Sequence, residues 1–222
     1  MSATLGLFAK WPRPGMVKTR LAAATSAPWA AKVAQAFLQD MLCRLTHVNA
    51  RRVLVFSPTD AGKDFADLVR GDFELLPQVH DDLGARLFAF FNQTLEEGAE
   101  RVVALGTDSP TLPVAFVETA LDQLRHADVV LGPATDGGYY LIGCAHRVPP
   151  IFHGVGWSSS SVLAETVSRL RQASLRLALL PPWYDVDTLD DWRMLRGHVL
   201  ALRCAGGDPE VPHTEALPDE PS

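Results

Sequence analysis

The chain has 222 residues, 47% apolar and 21% charged, enough for one well-buried domain and short for two. A formal net charge of −6 argues against extended binding to nucleic acid, although local basic residues could still hold a small anion. Cys43, Cys144 and Cys204 are odd in number and form no CxxC pair, which argues against a disulfide framework or a structural zinc site. No apolar run reaches the length of a membrane span or a signal-peptide core, so a reduced, cytoplasmic setting is expected.

In chain order, residues 4–9 read as a buried strand. Residues 29–47 read as a helix with Val33, Phe37, Met41 and Leu45 on one face. Strands follow at 52–57 and 73–77, separated by a helix at 60–69. A helix at 85–97 leads to a strand at 101–106, and a helix at 114–125 to a strand at 128–132. Pro113 sits where a first helical turn tolerates it. A strand at 139–144, a helix at 159–172 opened by serines suited to capping, a strand at 175–180 and a helix at 189–202 complete the pattern. Alternation of this kind predicts a mainly parallel sheet with helices on both faces, formed by residues 1–204. Residues 205–222 are acidic and proline-rich and read as a disordered tail.

In such sheets ligands bind beyond the carboxyl ends of the strands, so the loops there carry the functional expectation. The loop after the first strand gathers Lys10, Arg13, Lys18 and Arg20 around two prolines and Gly15. Arginine can grip phosphate with two bonds and lysine acts as a point charge, so the loop reads either as a phosphate clamp or as a solvated basic loop. It is not a Walker A loop, since Val17 rather than glycine precedes Lys18, and it has no G-x-G-x-x-G fingerprint. Asp108, at the end of the fourth strand, suits a hard oxygen-seeking ion or a capping turn. Asp185 and Asp187 would point the same way in an extended run; Asp187 is the expected metal ligand, and Asp190 and Asp191 are expected to cap the last helix. Asp136, Gly137 and Gly138 read as a hairpin turn or as a close approach for a ligand, followed by Tyr139. The seven histidines show no metal-ligand spacing, and His80 and His153 read as surface residues.

Taken together, FAKWPRPGMVKTRL (8–21), DDLGARL (81–87), GTDSPTLP (106–113), GPATDGGYYLIG (132–143), WSSSSVL (157–163) and DVDTLDDW (185–192) resemble the DUF2064 family. Its members are GT-A-fold, glycosyltransferase-like proteins related to 2-phospho-L-lactate guanylyltransferase and the molybdenum-cofactor guanylyltransferase. The resemblance implies a three-layer α/β/α GT-A fold, Rossmann-like, with a mainly parallel mixed sheet. It implies phosphate contacts from Lys10, Arg13, Gly15, Lys18 and Arg20, base recognition by Gln78 and Gly84, and acceptor contacts from Asp136, Gly137, Gly138 and Tyr139. It also implies Mg²⁺ (or Mn²⁺) on Asp108 and Asp187, with Lys18, Arg20 and Asp108 catalytic. The usual glycine-rich opening loop is replaced here by F-A-K-W, and Asp-Ser-Pro stands where many glycosyltransferases carry D-x-D. The expected activity is transfer of a nucleoside monophosphate from a nucleoside triphosphate to a small acceptor. Glycosyl transfer from a nucleotide-sugar and non-catalytic nucleotide binding are the alternatives.

Overall fold

The computed structural model describes residues 2–79, 82–157 and 159–218. His80, Asp81 of the DDLGARL motif and Ser158 of the serine run therefore lie outside the described residues. Seven strands form one sheet in the order β3-β2-β1-β4-β6-β5-β7. They are β1 (Ala3–Lys10), β2 (Arg51–Ser57), β3 (Glu74–Pro77), β4 (Arg101–Leu105), β5 (Val129–Pro133), β6 (Tyr139–Ala145) and β7 (Leu177–Leu179). All neighbours are parallel except β6, which runs antiparallel to both β4 and β5. The start of β6 therefore lies at the same rim as the ends of the other strands. Together with the helices on both faces, this is the three-layer α/β/α fold that the family resemblance implies.

The strands are apolar throughout because both faces are covered, and alternate residues serve opposite sides. On one face Leu5 and Leu7 of β1 and Leu54 and Phe56 of β2 pack under α2 (Ala27–Leu45), α3 (Gly62–Val69) and α5 (Val114–Gln123). On the other, Val53, Val55, Val102, Ala104 and Ile142 meet Leu87, Phe90 and Phe91 of α4 (Leu83–Glu96) and Leu170 of α6 (Val162–Gln172). α2 has a second apolar stripe. Its Trp29, Val33 and Phe37 pack against Trp192, Leu195 and Val199 of α7 (Leu189–Cys204), with Leu21 of the short α1 (Thr19–Ala24) closing one end.

The segment after α7 departs from the expected disordered tail. Within residues 205–218 a short helix, α8 (Pro212–Glu215), packs on α2. Asp40 of α2, fully buried, accepts bonds from the backbone N–H groups of His213 and Thr214 and from the Thr214 hydroxyl. Val211 is also buried. Composition suggested disorder, but one buried carboxylate and one valine anchor the segment. α1 was likewise hidden in the basic loop, and the Ser161 side chain does not cap α6 but bonds to Glu165.

Candidate active site

The loop after β1 enters α1 through Lys18, whose backbone is left-handed (φ 46°, ψ 47°). Such a conformation costs a β-carbon-bearing residue about 1–3 kcal/mol and persists only where surroundings enforce it. Here they do. The Lys18 side chain is 4% exposed, and its Nζ donates to the Val186 carbonyl oxygen at 2.6 Å. The same ammonium pairs with the carboxylates of Asp108 and Asp187, the latter at 3.3 Å, and lies 5.3 Å from the centre of the Phe37 ring. Burial alone would lower its pKa; the two carboxylates outweigh burial and hold it above the ordinary lysine value.

Asp108 follows β4 in a turn held from several sides. Buried Arg44 of α2 donates to the Pro110 carbonyl, and Leu112 N–H donates to Ser109 O at 3.0 Å. The acidic run reaches Asp108 because the chain after β7 continues along β5. Leu180 N–H donates to Leu131 O at 2.9 Å and Trp183 N–H to Pro133 O at 3.0 Å, and Val186 N–H then crosses to Asp108 O at 2.9 Å. Val186 is buried among α2 and α7, with Asp185 and Asp187 on either side of it in the chain. Asp187 is set by the next helix: the Asp191 carboxylate accepts from Asp187 N–H at 3.1 Å and Thr188 N–H at 2.8 Å, completing a capping box with Thr188.

The sequence favoured Asp187 over Asp185 as the ligand, yet Asp185 is drawn into the same cluster. Ser109 donates to it at 2.5 Å. Burial pushes its pKa up to about 6; the Ser109 bond opposes this, and the charges of Asp108, Asp136 and Asp187 add to it. Asp136 arrives from the turn between β5 and β6, where its carboxylate accepts from Gly138 N–H at 2.9 Å. Gly137 must be glycine twice over: φ is +93°, and a β-carbon would lie 2.3 Å from the Ser160 carbonyl oxygen.

Three adjoining cavities open on this cluster. One of about 310 Å³ is lined by Lys10, Lys18, Ser57, Gln78, Arg86, Asp108 and Asp187 among others. A polar one of about 480 Å³ lies between Lys18, Thr19 and Arg20 on one side and Asp136, Ser159 and Ser160 on the other. A third, of about 270 Å³, shares Asp108, Gly106, Phe8 and Leu83 with the first and is mostly apolar.

The structure thus brings together Lys10, Lys18, Arg20, Gln78, Asp108, Asp136, Tyr139 and Asp187 around one rim, and leaves other candidates apart. Arg13 pairs with Asp60 at 3.1 Å and lines none of these cavities. Gly15 is an exposed turn residue with φ +77°, open on its side-chain face. Gly84 is buried against the Phe152 backbone and the Trp157 ring, where a β-carbon would come within 2.2 Å, so it serves packing of α4. Gln78 reaches its cavity, but its amide is engaged: Nε2 donates to Val55 O at 2.7 Å and Oε1 accepts from Arg86 at 3.1 Å. Arg86 stands in the DDLGARL motif but was given no role from sequence, where its spacing reads as that of an ordinary helix-surface arginine. Among the described residues no group of three or more His, Cys, Asp or Glu side chains is arranged to hold a metal ion, and no helix is long and apolar enough to cross a membrane.

A family model described as "Uncharacterized protein conserved in bacteria (DUF2064)" matches residues 41–159, more than half of the chain. A Desulfovibrio desulfuricans G20 protein, provisionally named a nucleotide-diphospho-sugar transferase, is 36% identical over 90% of this chain and 88% of its own, with a TM-score of 0.85. The chain belongs to the DUF2064 family. No curated protein matches this DUF2064 sequence. Its fold extends further. A cytidylyltransferase from Leptospira borgpetersenii is 12% identical over 90% of this chain and 87% of its own, with a TM-score of 0.58. CMP:2-keto-3-deoxy-manno-octonic acid synthetase complexed with CTP is 14% identical over 93% and 100%, with a TM-score of 0.53. At that identity the likeness is one of fold. The segment matched to the DUF2064 model contains Gln78, Asp108 and Asp136; Lys18, Asp185 and Asp187 lie outside it and join the cluster only through folding.

Proposed function

We propose that this DUF2064 protein is a metal-dependent nucleotidyltransferase that moves a nucleoside monophosphate from a nucleoside triphosphate to a small acceptor, releasing pyrophosphate. The observation that carries the reading is the convergence of Asp108 and Asp187 on one buried cation, Lys18, between cavities lined by further cations. Nucleotidyltransferase-like neighbours of the same fold and the 36% identical provisional nucleotide-diphospho-sugar transferase support a transferase. Asp-Ser-Pro in place of D-x-D favours nucleotidyl over glycosyl transfer.

The residues fit a divalent ion. Two carboxylates that reach the same ammonium can reach one metal ion, and hard oxygen donors suit Mg²⁺ or Mn²⁺. With two such carboxylates and, among the described residues, no group of three or more ligands, the site suits an ion that arrives chelated by the substrate's phosphates rather than one held in a protein cage. When bound, the ion would neutralise phosphate charge as the reaction proceeds. Lys18 holds the two carboxylates in register and offers its ammonium to a phosphate oxygen. Arg20, exposed at the polar cavity, supplies a second cation for the departing pyrophosphate. Asp191 and Arg44 hold the carboxylate-bearing segments so that little reorganisation is needed. The acceptor oxygen bonds to the α-phosphorus as the bond from that phosphorus to the bridging oxygen breaks; the acceptor proton passes to water and pyrophosphate leaves.

The test follows pyrophosphate release from each of the four nucleoside triphosphates with Mg²⁺ or Mn²⁺ and a panel of small acceptors. Metal-dependent pyrophosphate release supports the proposal. Release of a nucleoside diphosphate from nucleotide-sugars, with triphosphates inert, would replace it by glycosyl transfer, the reading favoured by the provisional name of the Desulfovibrio relative.

A further inference from the structure

The three cavities around Asp108 differ sharply in charge. Lys10, Lys18 and Arg86 line one, and Lys18 and Arg20 line the polar one. Among the described residues no lysine, arginine or histidine lines the third. Its walls are Leu83 and Leu87 of α4, Ala104 of β4, and Tyr139 and Ile142 of β6, and among the described residues its charged groups are Asp108 and Asp185. Leu83 is 44% exposed, an apolar side chain left open where the two cavities meet. The Tyr140 hydroxyl is spent on the Pro181 carbonyl at 2.9 Å, and Ser109 is bonded to Asp185. Lys18 pairs with Asp108 from the neighbouring cavity, but among the described residues no cation lines this one, so a phosphate or carboxylate placed here would meet carboxylates and apolar walls without a direct cationic partner. An apolar body would be desolvated against leucine, isoleucine and tyrosine, with a polar atom at its end set beside Asp108.

We propose that this third cavity binds the acceptor, and that the acceptor is an alcohol with an uncharged apolar body rather than a phosphorylated or carboxylated molecule. The inference rests on the reading of the site as a nucleotide-dependent transferase, because the shared Asp108 is what brings the cavity against the nucleotide. It divides the ligands by charge: anionic groups on the two cation-lined sides, the uncharged acceptor over β4 and β6.

The experiment uses the full chain with Mg²⁺ and non-hydrolysable nucleoside triphosphate analogues, whose binding is measured first by calorimetry. Cyclohexylmethanol, benzyl alcohol, glycerol and glycerol 3-phosphate are then added and followed by saturation-transfer NMR. The two apolar alcohols are expected to bind and glycerol 3-phosphate not to. In Ala104→Leu, which fills the cavity without touching the nucleotide side, the alcohols should bind about tenfold more weakly while nucleotide affinity stays within about twofold. If Ala104→Leu does not fold, a diazirine-bearing benzyl alcohol is photolysed on wild-type protein; label on residues 83–87 or 139–142 supports the assignment, and label on residues 18–20 or 159–160 overturns it. Nucleotide bound without either apolar alcohol, or glycerol 3-phosphate bound in an Arg20-dependent way, also overturns the acceptor assignment. Failure of every nucleotide to bind sinks instead the transferase reading beneath it.

Discussion

Lys18 is where backbone, burial and charge all act on one residue. Its ammonium is buried between two carboxylates, and removing it leaves Asp108 and Asp187 facing each other with a like charge. Lys18→Met should therefore lower the melting temperature of metal-free protein, and millimolar Mg²⁺ should recover part of the loss by taking the cation's place; differential scanning fluorimetry with and without Mg²⁺ checks both. In turnover assays the same variant should fall by about a hundredfold or more, the scale seen when a preorganised electrostatic group is lost. An unaltered rate would remove Lys18 from the site. The sequence marked Lys18 and Arg13 alike as cations in one loop. What separates them is distant: Arg13 meets Asp60, whereas Lys18 meets a segment 168 residues on. Asp185 escaped for a similar reason, since its burial and its bond from Ser109 exist only once the chain after β7 lies against the β4 turn.

At the scale of elements, Asp187 depends on the helix that follows it. Asp191→Ala breaks the capping box, should cost about 1 kcal/mol in chemical denaturation, and should weaken metal-dependent nucleotide binding although Asp191 touches no cavity of the site. Loss of stability with unchanged binding would show that the cap does not orient Asp187. At the far end of the sheet Asp128 accepts from Arg176 N–H and from its guanidinium, joining β5 to β7. These bonds hold the Asp128 carboxyl at about 2, below its ordinary value of 3.8. A depressed carboxyl contributes stability above the ordinary value and loses it as pH falls through the lowered one. Asp128→Asn should thus melt below wild type at neutral pH, with the gap closing between pH 4 and 2. A gap independent of pH would contradict the ion pair. Most of these elements were legible, because strands buried on both faces and helices with a four-residue apolar repeat leave plain traces: the expected α2 stripe of Val33, Phe37, Met41 and Leu45 is buried throughout. That Phe37 faces α7 while Met41 and Leu45 face the sheet was not legible, since the four-residue repeat does not show that the helix divides its apolar surface between two partners. Sheet order was also out of reach, being set by which strands pair, whereas the hairpin reading of residues 136–138 did signal the reversal at β6.

For the whole molecule, the C-terminal segment is a brace rather than an appendage. Asp40 accepts three bonds from α8, and Arg44, one turn further along α2, pairs with Glu210 while donating to Pro110 in the Asp108 turn. Asp40→Ala strands those donors in the interior and should cost about 3 kcal/mol, read from urea denaturation. An unchanged midpoint would mean that α8 is not docked as described. Composition pointed the other way because a few buried contacts outweigh an acidic, proline-rich average. The account as a whole depends on Asp108 and Asp187 receiving one metal-chelated polyphosphate beside Lys18. Calorimetric titration of nucleoside triphosphates into the protein, with Mg²⁺ and with chelator, tests this most directly. Binding should appear with Mg²⁺ and weaken by about tenfold or more with chelator, in Asp108→Asn and in Asp187→Asn. Binding indifferent to the metal and to both substitutions, or no binding of any nucleotide, would contradict it.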